Sequence, residues 1–252
     1  MNEEQVLYAR LQDLAKRAYR QNIYTYTGFL TPAELAVVYE KQAEFSFVGV
    51  TCFGGTPERE RQMVQFGSEE LFGYAGVFPI SIILVEPLLE KFAEDLNHRD
   101  FLGALMNLGI ERSVLGDILV KDGKRAYIFC QESIAAYIQE NLTKIKHTNV
   151  KTSLVDGEME DLKPTLVDVH VIVSAPRFDA VVAALTKCSR SEALEFFRAK
   201  KVTRNGRTEE RNSLVLKDGD IFSVRGYGKF QYCGAGNETR KGRVNIWVKK
   251  YI

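Results

Sequence analysis

The sequence predicts an α+β protein of three small domains, and three observations carry that reading. Helical and strand-like hydrophobic patterns alternate along the chain without an internal repeat. A strand, helix, strand, strand, helix, strand order fills the middle, which is that of a split βαβ, ferredoxin-like domain. Near Pro176 the charge changes sign: residues 176–252 carry 17 Lys and Arg against 8 Asp and Glu, a balance of +9, whereas the whole chain has a net charge of +1. The expected domains are therefore 1–77, 78–175 and 176–252.

The first domain opens with a helix marked by Val6, Leu7, Leu11, Leu14, Ala15 and Ala18. Thr31-Pro32-Ala33-Glu34 starts a second, since threonine at the cap, proline at the first helical position and glutamate three residues after the cap form a capping box. FSFVGVTCF (45–53) is β-rich and ends at Gly54-Gly55. In the second domain ISIILV (80–85) is a buried strand, and a helix forms around FLGALMNLG. VLGDILV and RAYIFC are two strands joined across Lys121-Asp122-Gly123-Lys124. The helix ESIAAYIQENL and extended residues near 145–154 and 167–175 complete the order, with a loop or insertion at 156–164. The third domain has helices over 177–187 and 190–200, then short strands VTR, SLVL, DIFSVRG and RVNIWVKKY.

No apolar run approaches the roughly 20 residues that span a bilayer, and the N-terminal stretch lacks the apolar core of a signal peptide. A cytoplasmic protein without membrane contact is expected. Cys52, Cys130, Cys188 and Cys233 are scattered singly, with no histidine at ligand spacing, so neither a metal site nor a disulfide framework is indicated. They read as small hydrophobes. His98-Arg99-Asp100 looks like a kinase catalytic triplet but lacks its companion motifs, and Asp100 is expected to cap a helix. Gly226-x-Gly228 and Gly234-x-Gly236 read as tight hairpin turns, since no helix follows them.

The charge concentrates in SRSEALEFFRAKKVTRNGR (189–207), six cations in nineteen residues. Ser189 and Glu192 form a capping box, Ala193, Leu194 and Phe197 share one helical face, and Lys200, Lys201 and Arg204 emerge where the helix ends. Asn205-Gly206 then reverses the chain. Cations at a helix C-terminus complement its dipole, but Arg190 sits at the N-terminal end, where the dipole disfavours it. Together with Arg177, Arg207, Arg211, Arg225, Lys229 and Arg243, these cations point to a phosphate-binding surface, the alternative being a solvated charged face.

Arg177-Phe178-Asp179, Ser189-Arg190-Ser191-Glu192-Ala193, Lys201-Val202 with Asn205-Gly206, Gly219-Asp220-Ile221 and Ser223-Val224-Arg225-Gly226 resemble the RNA-binding module of ribosomal small-subunit protein S-four. The resemblance covers about 55 residues and implies an αL-type module, two helices on a small sheet, whose helix-turn surface lies against folded RNA. Lys200 stands where that family usually has glycine, and Arg204 where it usually has valine. The first places a non-glycine residue at a left-handed cap. FGGTPERER (53–61), NHRDFLGALMNLGIERSVLGDILV (97–120) and RGYGKFQYCGAGNETRKGR resemble the YlmH family over essentially the whole chain.

That resemblance implies a central RNA-recognition-like (RRM-like) domain and a non-enzymatic factor. Its implied partners are ribosomal RNA and tRNA on the large ribosomal subunit, in quality control of stalled nascent chains. It implies no cofactor, and a monomer is expected. Relatives are tied to cell division and photosystem assembly, which stand as alternatives, as does an RNA-modifying enzyme. None of the catalytic motifs such an enzyme would need is found. The candidate RNA contacts are Arg177, Ser189, Arg190, Arg198, Lys200, Lys201, Arg204, Asn205, Arg207, Arg225 and Lys229. Secondary candidates are Arg99, Arg112, Tyr127, Phe129, Arg243 and Trp247. Tyr127 and Phe129 share one strand face and either stack on bases or pack against a neighbouring domain. For Trp247 the choice is base stacking or plain edge packing.

Overall fold

The computed structural model describes residues 3–57, 59–155, 162, 166–239 and 242–251. The chain divides into two compact units, Met1–Lys163 and Pro164–Ile252.

The first unit begins with α1 (Glu3–Gln21), whose buried Leu11, Ala15 and Ala18 recur at helical spacing. β1 (Thr25–Tyr26) precedes α2 (Pro32–Lys41), which starts at the expected capping box: Glu34 N donates to Thr31 Oγ1 at 3.3 Å and Thr31 N donates to Glu34 Oε2 at 2.7 Å. The β-rich run at 45–53 yields only a short strand, β2 (Val50–Phe53). Phe45 instead ends a 3₁₀ turn, and the chain swings through Gly49 at φ 85°, so that Phe45 and Val48 bury against α1 rather than join the sheet. β2 and β1 flank β3 (Met63–Phe66), and the four-residue helix α3 (Glu69–Phe72) follows.

β4 (Ile80–Pro87), α4 (His98–Asn107), β5 (Leu115–Lys121), β6 (Arg125–Gln131), α5 (Glu132–Asn141), β7 (Lys144–Ile145) and β8 (Thr148–Leu154) then build a sheet of order β5-β6-β4-β8-β7. This is the ferredoxin-like arrangement the sequence predicts. Asp122 and Gly123 take φ of 54° and 63°, so the β5–β6 hairpin turns on two left-handed residues, as its twist requires. Asp100 takes part in a capping box with Asn97, whose N donates to Asp100 Oδ2 at 2.9 Å.

The two faces of this sheet are both closed. Ala126, Ile128 and Cys130 join Ile83, Val85 and Ile118 against Phe101, Leu105 and Ile138 of the helices. Tyr127 and Phe129 occupy the opposite face, as their alternation predicts, but they are 2% and 0% exposed and pack with Phe29, Met63 and Leu162. The expectation that they contact RNA is corrected: residues preceding the sheet cover the aromatic face. FGGTPERER provides the cover. A Cβ on Gly55 would lie 2.7 Å from the Phe129 ring, so only glycine allows this approach. Arg59 lies over Phe129, 5.4 Å from its centroid, and Arg61 donates to the carbonyls of Phe29, Arg112 and Leu115 at 2.8–3.0 Å. The stretch expected to be a loop at 156–164 lies, apart from buried Leu162, outside the described residues.

The second unit starts with β9 (Leu166–Val173), followed by α6 (Phe178–Thr186), α7 (Arg190–Arg198), β10 (Val202–Arg204), β11 (Arg207–Thr208), β12 (Ile221–Val224), β13 (Gly228–Glu238) and β14 (Val244–Tyr251). The six strands follow the order β11-β10-β12-β13-β14-β9. β9, read from the sequence as the end of the central domain, instead pairs along its full length with β14. Its alternation specifies a half-buried strand but not its partner. β13 replaces one of the two turns that the sequence suggested. Gly226 and Gly228 do form a turn, whereas Gly234 and Gly236 lie inside β13, where the register against β14 shifts. The run SLVL forms only an isolated bridge, Val215 to Arg177.

One face of this sheet carries α6 and α7 on a core of Phe178, Phe197, Phe222, Phe230, Tyr232, Ile246 and Val248. Ala193 and Phe197 are buried in it, as the helical wheel predicts. All four cysteines are free, and Cys233 is exposed rather than in a core.

Candidate nucleic-acid interface

The basic surface of the second unit is organised around buried carboxylates. Asp179, in the first turn of α6, is 1% exposed, and two guanidiniums fork onto it. Arg177 donates from Nε and Nη2 at 3.2 and 3.3 Å, and Arg190 at 2.9 and 3.4 Å. Burial alone would raise the Asp179 pKa, but the charge-assisted bonds from Arg190 and Arg177 outweigh it and hold the carboxyl below its ordinary value. The arginine side chains remain 40% and 48% exposed. Arg190 at the N-terminus of α7 is thus explained: Asp179 more than offsets an unfavourable helix dipole of roughly 0.3–1 kcal/mol. Ser189 caps α7 through Oγ, which accepts from Glu192 N at 3.2 Å, and its own N donates to Glu192 Oε2 at 2.7 Å.

A second carboxylate pair fixes the turn after the helix. Arg204 is only 20% exposed and donates to Glu209 at 3.3 Å and Asp220 at 3.0 Å. Asn205 Nδ2 donates to Asp220 at 2.7 Å while its Oδ1 accepts from Ile221 N at 2.9 Å. With Asn205 and Gly206 at φ 48° and 80°, both residues build the β10–β11 hairpin. Arg211 forks onto Glu209 and, with Arg204, pulls its pKa down to about 2 against the opposing effect of burial. Arg204 and Asn205, expected to face RNA, spend their polar groups inside the module.

The cations left to solvent gather where α7 ends. Arg198 is exposed and pairs with Glu195 on its own helix, and Lys200 reaches Glu210 at 3.5 Å. Lys200 takes φ 55°, the left-handed cap its sequence position predicts, and Lys187 ends α6 in the same way. Lys201 and Arg225 are exposed, and among the described residues neither has a carboxylate partner. The Arg225 N donates to the Lys201 carbonyl at 2.9 Å, which fixes the two residues side by side. Next to them Tyr227, 41% exposed, packs on Phe196 with centroids 5.3 Å apart. Sequence reading missed Tyr227, which stood inside a glycine turn, and gave Asp179, Glu209 and Asp220 no role. Arg207 is half-buried, and Lys229 lies 4.6 Å over the ring of Tyr251.

Trp247 and Arg243 are exposed on or beside β14. Arg99 and Arg112 belong to the first unit with Tyr127 and Phe129. Arg99 is exposed; Arg112 is half-buried, and its Nη1 donates to the Gly116 carbonyl at 3.3 Å. No group of three His, Cys, Asp or Glu able to hold a metal occurs among the described residues, and no helix among them is long and apolar enough to cross a membrane.

Comparison with known proteins locates relatives for this architecture. The chain is 27% identical over 240 residues to a Bacillus subtilis (strain 168) protein named "Ribosome-associated protein quality control protein P2", covering 94% of this chain and 90% of that one. A solved structure titled "Cell division protein ylmH from Streptococcus pneumoniae" superposes with a TM-score of 0.49 at 22% identity, over 62% of this chain and 92% of the other. Residues 78–159, the ferredoxin-like sheet and its helices, match the family described as "Putative RNA-binding domain in YlmH". The central domain thus matches a family of putative RNA-binding domains, and the chain as a whole is similar along nearly its full length to a protein named for ribosome-associated quality control.

Proposed function

We propose that this chain is a non-catalytic RNA-binding factor that docks on the large ribosomal subunit and its tRNA, in the quality control of stalled nascent chains. The B. subtilis relative bears a name from that process. The observation that carries the reading is the juxtaposition of exposed Lys201 and Arg225 where α7 ends, on the module that also holds Arg177 and Arg190 on Asp179. Arg177 and Arg190, held by Asp179, suit the phosphates of a folded RNA because positioned donors lose little freedom on binding, and Lys201 and Arg225 add two exposed charges on adjoining backbone. Arg198, Lys200 and Arg207 add charge on the same module and Ser189 adds a hydroxyl, whereas Lys229 lies on the sheet face away from the helices. The module works as a monomer in the cytoplasm, and the central domain contributes contacts through Arg99 and its rim, since both faces of its sheet are filled.

The test leaves the buried carboxylates alone. Lys201→Glu combined with Arg225→Glu reverses two exposed charges without touching Asp179, Glu209 or Asp220. Co-sedimentation with large subunits at about 100 mM salt should drop at least 10-fold, and wild-type binding should weaken steeply as salt rises. Unchanged sedimentation of a folded double variant rejects the assignment.

A further inference from the structure

The face of the second sheet turned away from α6 and α7 carries its own aromatic surface. On β14, Ile246 and Val248 point into the core, so Asn245, Trp247, Lys249 and Tyr251 lie on the other side. Trp247 is directly opposite His170 of β9, and the two rings lie 4.4 Å apart at 34°. Asn245 Oδ1 lies 2.9 Å from His170 Nε2, and the Asn245 amide donates to the Asn237 carbonyl, which fixes the imidazole in place. On the β13 side Gly236 is the neighbour of the indole nitrogen, 3.4 Å from where a Cβ at that position would lie. The result is a pair of rings packed face against face, whose tryptophan is still 49% exposed. An indole of this size ordinarily hides most of its surface.

The charges around these rings are mostly positive. Lys249 follows Trp247 on the same face, Lys229 reaches over Tyr251 from β13, and exposed Arg243 precedes the strand. The one carboxylate opposite them on β9 is Asp168, the cross-strand neighbour of Lys249. Flat exposed rings flanked by cations suit a nucleobase and its phosphate, because every base offers a π-face while the backbone seeks positive charge.

We propose that this face is a second RNA site, which takes a short single-stranded stretch by stacking a base on Trp247, which His170 backs, with Lys249 and Lys229 on the adjoining phosphates. It rests on the reading of the module as RNA-binding but uses the sheet face opposite the helices, so one domain would hold a folded RNA on one side and an unpaired segment on the other.

Trp247 is the single tryptophan of the chain, so its fluorescence reports on this site alone. Full-length protein is titrated with a uridine decamer, unlabelled for emission and dye-labelled for anisotropy. Saturable quenching of Trp247 is expected, with Trp247→Ala weakening decamer binding by about 5-fold or more and Trp247→Phe recovering most of it. Circular dichroism confirms that both variants fold. The Lys201→Glu, Arg225→Glu double variant should still show the quenching. If the decamer leaves the emission unchanged, fails to bind, or binds Trp247→Ala as tightly as wild type, the site is overturned. Quenching together with undiminished subunit binding by the double variant would sink the proposed helix-surface docking while leaving this site standing.

Discussion

Arg190 shows how far a single residue can be read from sequence. Its place at a helix N-terminus signalled that something other than the dipole held it there, but the partner was eleven residues back, at Asp179. Arg204 was misjudged for the same reason. Its charge suggested exposure, whereas Glu209 and Asp220, both under 10% exposed, draw it inward. Long-range ion pairs leave no periodic trace in sequence, so cations that bind a ligand and cations that bind the fold look alike. The difference is measurable by pH. Glu209, Asp179 and Asp220 all have depressed pKa values, Glu209 at about 2, so their stabilisation is present above the ordinary carboxyl range and is lost as pH falls through the depressed values. Thermal unfolding of the protein should therefore drop in midpoint from about pH 5 towards pH 2. Glu209→Gln should lose about 1–2 kcal/mol at pH 7, discounted for the exposed Arg211, and flatten that part of the profile.

Helices were more legible than strands because their signals are local. The capping boxes at Thr31 and Ser189 fix the first residues of α2 and α7, and Asp100 caps α4 as expected, reciprocally with Asn97. Strands declare only which residues share a face. The alternation of β6 separated Tyr127 and Phe129 from Ala126, Ile128 and Cys130, but it could not say whether the aromatic side met RNA or protein. Gly54-Gly55 and the two arginines after them decide it, by bringing the preceding segment onto Phe129. Phe129→Ala should then cost about 3–5 kcal/mol in urea unfolding of the first unit. RNA affinity of the fraction that remains folded should be unchanged. A loss of affinity without a loss of stability would reopen the aromatic face as a binding surface.

At the scale of the whole molecule, the acidic body and basic end were visible as a charge count, but the place of their division was not. The structure divides the chain before β9, because the β9–β14 ladder runs from Leu166–Tyr251 to Val173–Val244. A fragment of residues 164–252 is expected to unfold cooperatively in a calorimeter. One of residues 176–252 lacks Val173 from its core and bares the edge of β14, and should aggregate or melt without a sharp transition. Equal behaviour of the two would show β9 to be dispensable.

The β9–β14 pairing also has a mechanical meaning. Leu166 and Tyr251 are partners at one end of an antiparallel ladder, so the points where the polypeptide enters and leaves the module lie side by side. Tension between them would peel the two strands apart one pair at a time, loading each rung in turn instead of sharing the force among all of them. A tether through both ends is therefore the weakest way to hold this domain, and a linker joining them is an easy circular permutation.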